Sequence, residues 1–160
     1  MFVYLSISTN IQPEKNAVNI TRELCQVFGP MILYPFIYTK PVSMPNASLF
    51  LNSLAIIKTD APNSEIKKKL NLIETKLGRN RNDLNRSKKD RTADIDILKS
   101  SALLDEENFR CCDEPYVQFC LAQDQSAANL SDYGLPAHQR ATTVHWDRNT
   151  GKIVISQNKL

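Results

Sequence analysis

Two stretches of helical apolar spacing, each entered from a strand-like run, limit this chain to few arrangements. Residues 2–8 alternate: Val3, Leu5 and Ile7 fall on one side, Tyr4, Ser6 and Ser8 on the other. That period predicts a half-buried strand. Residues 14–28 then place Ala17, Ile20, Leu24, Val27 and Phe28 at helical spacing, and Gly29-Pro30 closes the helix. Met31 to Thr39 predicts a second strand. After a loop with Pro41 and Pro45, Ser53 to Thr59 predicts a third. Residues 60–64 supply capping side chains and Pro62 for a second helix. Its stripe is Ile66, Leu70, Ile73 and Leu77, with Gly78 just beyond. Thr92 to Leu98 is the next strand.

The order strand, helix, strand, strand, helix, strand is that of a split βαβ unit. It predicts an α+β fold with a ferredoxin-like core, a mainly antiparallel sheet flanked by helices. Further on the pattern weakens. Residues 109–122 suggest a short helix, residues 123–141 a mobile polar connection, and Thr143 to Ile155 a hairpin turning at Asn149-Thr150-Gly151. At 160 residues and 42% hydrophobic, the chain reads as one domain, 1–160, able to bury a core without disulfides. No secretory leader and no run near the ~20 apolar residues of a membrane span is visible, so a soluble cytoplasmic protein is expected. Cys25, Cys111, Cys112 and Cys120 form no CxxC pair, and His138 and His145 stand at no zinc spacing from them. The adjacent Cys111 and Cys112 would suit a redox pair, but buried or loop thiols of a reduced compartment are the expectation.

The net charge of +3 implies no polyanion partner for the whole molecule, but the charge is unevenly placed. Lys76, Arg79, Arg81, Arg86, Lys88, Lys89 and Arg91 crowd one segment against Asp83 and Asp90. Only Leu84 is apolar within 79–91, so this is a solvated basic loop. It runs into Asp94-Ile95-Asp96-Ile97-Leu98. Residues two apart in a strand share a face, so Asp94 and Asp96 point together while Ile95 and Ile97 enter the core. Paired carboxylates repel unless a cation lies between them. Magnesium takes carboxylate and phosphate oxygens, and arginine forks suit phosphate. A solvent-facing strand beside a surface loop would read the same way, but the adjacency of the two features favours a metal-nucleotide site. No aromatic side chains are interleaved with the cations, so nucleic acid is not the expected partner.

The stretch Ile73-Glu74-Thr75-Lys76-Leu77-Gly78-Arg79-Asn80-Arg81, followed by Asp90-Arg91-Thr92-Ala93-Asp94-Ile95-Asp96-Ile97-Leu98, resembles the signature of the 6-hydroxymethyl-7,8-dihydropterin pyrophosphokinases of folate synthesis. Phe36-Ile37-Tyr38-Thr39-Lys40-Pro41, Phe50-Leu51-Asn52 and Asn10 extend the resemblance, which covers about residues 1–120 and leaves the part from about 123 weakly matched. It implies an ATP-dependent pyrophosphokinase. Asp94 and Asp96 would bind two magnesium ions. Arg79 and Arg91 would hold phosphates and, with the aspartates, make the catalytic set. Asn71, Glu74 and Arg81 would join them around ATP. Asn10, Thr39, Val42, Phe50, Asn52 and Phe119 would surround the pterin, with Phe50 and Phe119 on its two ring faces and Asn52 at its edge.

The sequence departs from the family pattern at several places. Ser8-Thr9 replaces Gly-Ser before Asn10, and Lys88-Lys89-Asp90 stands where the family has Trp-Gly-Pro. Tyr116 follows Pro115 where a histidine is the rule, and Val117 takes an arginine position. These departures leave room for an alternative, a repurposed member that binds a pterin or nucleotide without catalysis.

Overall fold

A computed structural model describes residues 1–41, 48–85, 90–122, 126–157 and 160. The strands are β1 (Phe2–Thr9), β2 (Met31–Leu33), β3 (Ile37–Thr39), β4 (Phe50–Lys58), β5 (Asp94–Ser101), β6 (Thr142–Asp147) and β7 (Lys152–Ile155). The helices are α1 (Pro13–Phe28), α2 (Asn63–Lys76), α3 (Glu107–Arg110) and α4 (Pro115–Ala122). The strands make one antiparallel sheet in the order β5-β1-β4-β2-β6-β7, with β3 also on β4. Its β5-β1-β4-β2 part, with α1 and α2 as crossovers, is the ferredoxin-like core expected from the sequence.

Both faces of the sheet are covered. On one, Val3, Leu5 and Ile7 of β1 meet Ala17, Ile20 and Leu24 of α1 and Ile66, Leu70 and Ile73 of α2. On the other, Tyr4, Leu54 and Ile56 meet Phe109 of α3 and Val117 and Cys120 of α4. Phe109 fixes this second layer through edge-to-face contacts with Tyr4, centroids 5.0 Å apart, and Tyr34, 5.5 Å apart. The Tyr4 hydroxyl accepts from the Asp105 amide at 2.8 Å, which ties down the segment leading into α3.

Several local expectations are corrected. β1 is a central strand rather than a half-buried one: Tyr4 and Ser6 are as enclosed as their neighbours, because α3 and α4 cover that face. The expected strand from Met31 to Thr39 is two strands. Pro35 has no amide hydrogen to give the ladder, and residues 34–36 separate the two strands. The single short helix expected in 109–122 is two, α3 and α4. Val27 is exposed rather than part of the α1 core face. The described part of the 123–141 connection is anchored: Leu130 and Leu135 are buried, and the Ala128 amide donates to the Phe36 carbonyl at 2.8 Å. The C-terminal hairpin forms as expected and adds Val144 and Ile153 to the core.

Candidate active site

The second face of the sheet changes character along its strands. On β1 the residues facing α3 and α4 run Tyr4, Ser6, Ser8; on β4 they run Ile56, Leu54, Asn52, Phe50. One end is therefore apolar and sealed by the helices, while the other is polar and open. The β5 side chains beside it are Asp96, paired with Ser6, and Asp94, paired with Ser8. The polar end is the floor of a cleft of about 310 Å³. Thr39, Lys40 and Pro41 form one wall, and Glu114, Pro115, Tyr116 and Phe119 at the start of α4 form the other. Arg91 and Phe50 also line it, the guanidinium 5.7 Å from the ring centroid.

Charge at the cleft is closely paired. Both Asp94 oxygens are held by arginine, Oδ1 by Arg79 and Oδ2 by Arg91. Asp96 is half exposed and takes Lys67 from α2 at 3.0 Å. Arg79 also donates to the Ala93 carbonyl at 3.2 Å. These cations supply in the free protein what the sequence required, a positive neighbour for each carboxylate. The Tyr116 hydroxyl donates to Ser6 Oγ at 3.3 Å. Burial pushes this phenol above its ordinary value near 10, so it stays a neutral donor at physiological pH.

Glu74 is fully enclosed. It accepts from the Ile95 amide at 2.8 Å and bonds both Arg79 and Arg81. It pins the basic turn to the first residues of β5, and so sets where Asp94 lies. Gly78, at φ 95°, gives the left-handed turn that takes the chain from α2 into Arg79. Asn10 does comparable work at the end of β1: its Oδ1 accepts from the Arg91 amide at 2.7 Å, and its Nδ2 donates to Asp90 at 2.6 Å. Asn52 donates to the Thr39 hydroxyl, a side-chain link between the paired strands β4 and β3.

Of the residues singled out from the sequence, the cleft gathers Thr39, Phe50, Asn52, Arg91, Asp94, Asp96 and Phe119. Arg79 lines a smaller neighbouring depression of about 160 Å³, with Arg91 between the two. Asn10, Asn71, Glu74 and Arg81 line neither. Asn71 carries a buried Oδ1 with no hydrogen-bond partner among the described residues. Val42, Arg86, Lys88 and Lys89 lie outside the described residues. Sequence reasoning gave no site role to Ser6, Ser8, Lys40, Glu114 or Lys67. Ser6 and Ser8 share a sheet face with Asp94 and Asp96 only through the β1–β5 register, which the sequence does not display.

Among the described residues no cluster of three or more histidine, cysteine or acidic side chains forms a metal cage. Two carboxylates with room beside them suit a cation that keeps water and phosphate oxygens in its shell, as magnesium does. A zinc-type site, with its closed set of protein ligands, does not fit these donors.

The model of the 7,8-dihydro-6-hydroxymethylpterin-pyrophosphokinase family matches residues 4–126, most of the chain. The chain belongs to this family. No curated protein matches it. The matched span runs from Tyr4 in β1 through α4, and so includes every described residue of the cleft. The β6-β7 hairpin lies beyond it. Among the described residues no helix is long and apolar enough to cross a membrane.

Proposed function

We propose that the protein transfers pyrophosphate from ATP to 6-hydroxymethyl-7,8-dihydropterin, a step of folate biosynthesis in the cytoplasm. The observation that carries this reading is the single cleft that joins Asn52, Thr39, Phe50 and Phe119 to Arg91, Asp94 and Asp96. Flat aromatic side chains and an amide suit a heterocycle, and a carboxylate pair flanked by arginines suits a magnesium triphosphate. Family membership supplies the reaction. In that reaction the alcohol oxygen bonds to the β-phosphorus of ATP, the bond from that phosphorus to the α-phosphate bridging oxygen breaks, AMP leaves, and the alcohol proton passes to solvent.

The protein's share is positioning and charge. Asn52 offers hydrogen bonds to the pterin edge, while Phe50 and Phe119 cover its faces. Asp94 and Asp96 would hold magnesium, two ions in this reading, and the metal would supply charge neutralisation at the phosphate oxygens and the alcohol oxygen. Arg79 and Arg91 exchange their carboxylate contacts for phosphate oxygens. Glu74 and Asn10 reach the ligands indirectly, through the arginine turn and residues 90–91, and Asn71 offers its unpaired amide oxygen on the nucleotide side. No partner beyond these small molecules is needed.

Calorimetry with magnesium and a non-hydrolysable ATP analogue, with and without the pterin, tests the reading. Binding of both ligands, together with AMP release from ATP only when the pterin is present, is the expected result. Binding without AMP release would leave a repurposed binding protein. Absence of binding would remove the assignment.

A further inference from the structure

The strand register puts Ser8 at the centre of the cleft floor. It stands opposite Asn52 on β4 and opposite Asp94 on β5. Directly opposed residues in antiparallel pairs have β-carbons about 4.5–5.5 Å apart, on the same face. Ser8 therefore separates the amide suited to a ring edge from the carboxylate suited to a magnesium phosphate. Ser6, one step along the same face, has its hydroxyl engaged by Tyr116. Ser8 differs: it lines the cleft, and its Oγ has no hydrogen-bond partner among the described residues.

We infer that Ser8 binds the reacting alcohol of the substrate and is a specificity-determining contact for a ring carrying a hydroxymethyl group. This rests on the function proposed above and deepens it. A ligand with its ring edge at Asn52 and its reacting oxygen toward Asp94 carries that oxygen across Ser8. The serine hydroxyl can accept the alcohol hydrogen and leave the oxygen lone pairs facing the phosphate. It stays unchanged in the reaction and takes no proton.

The test compares two ligands, 6-hydroxymethyl-7,8-dihydropterin and its 6-methyl analogue, by fluorescence titration with magnesium and the ATP analogue present. A hydrogen bond of ordinary net strength predicts that the wild-type protein prefers the alcohol by about fivefold. Ser8→Ala should bring that ratio close to one by weakening the alcohol ligand, with the methyl ligand unchanged. Ser8→Gly gives the same reading should the alanine variant not fold. A wild-type protein that binds both ligands equally, or a preference that survives removal of the hydroxyl, overturns the inference while the proposed function stands. A wild-type protein that binds neither overturns both.

Discussion

Glu74→Gln is the substitution whose cost the structure defines best. The carboxylate is fully buried between Arg79, whose side chain is 12% exposed, and Arg81, 31% exposed, and it also accepts from the Ile95 amide. Glutamine keeps the shape and one acceptor oxygen but turns an NH₂ group toward a guanidinium. Removing one partner of a buried pair costs about 3–5 kcal/mol, because the remaining charge stays desolvated. Arg79 retains Asp94, and water reaches Arg81, so the low end applies, about 3 kcal/mol. For a chain of this size that lowers Tm by about 6–12 °C. Urea unfolding followed by circular dichroism measures the loss. A loss below about 1 kcal/mol would refute the claim that Glu74 clamps the arginine turn to β5. The clamp also predicts non-additivity: Arg81→Ala should cost clearly less in the Glu74→Gln background than alone.

Asp96→Ala should abolish magnesium-dependent binding of the ATP analogue, read by calorimetry. Stability should change by no more than about 0.5 kcal/mol, since the Lys67 pair is half exposed. Phe50→Ala and Asn52→Ala should each weaken pterin binding in fluorescence titration by roughly tenfold or more, and an unchanged affinity in both would move the ring elsewhere. Hydrogen exchange across residues 79–85 and 90–91 should slow when magnesium, ATP analogue and pterin are added together. Equal exchange with saturating ligands would exclude ligand-driven closure of this segment. A thiol reagent at pH 8 should label exposed Cys111 quickly, while Cys25 and Cys120 react only after unfolding. Burial pushes both of these thiols up to about 12, which keeps them protonated and inaccessible.

What could be read in advance follows from the range over which each signal acts. The stripes of α1 and α2 and the shared face of Asp94 and Asp96 are local periods, and they appear in the structure as the spacing requires, except that Val27 at the end of the α1 stripe is exposed. The splitting of Met31–Thr39 was also written locally, in Pro35, but the apolar run around it reads as continuous. Ser6 and Ser8 look like the wet side of an edge strand. The enclosure of Ser6, and the cleft that Ser8 lines, depend on α3 and α4, more than 90 residues away, and no local period announces that packing. Leu130 and Leu135 are isolated apolar residues in a polar stretch and carry no period at all. Glu74 did leave a trace. It lies four residues after Leu70 and eight after Ile66, on the buried stripe of α2, where an acid requires a charged partner.

The change from Tyr4 to Ser8 along β1, and from Ile56 to Asn52 along β4, bears on how such a chain can drift over generations. Filling the cleft floor with aliphatic side chains would bury more apolar surface and raise stability, as replacements at polar sites commonly do. The bonds these hydroxyls, the amide and the two carboxylates make within the fold are with other polar residues of the cleft region, which a fold without a ligand to bind could replace together. Sequences freed from ligand binding would be expected to lose these residues first and to keep Tyr4, Leu54 and Ile56, whose loss would open the core. Homologues ranked by the polarity of positions 6, 8, 52, 94 and 96 would thus separate lineages still held by a ligand from those held only by the need to fold.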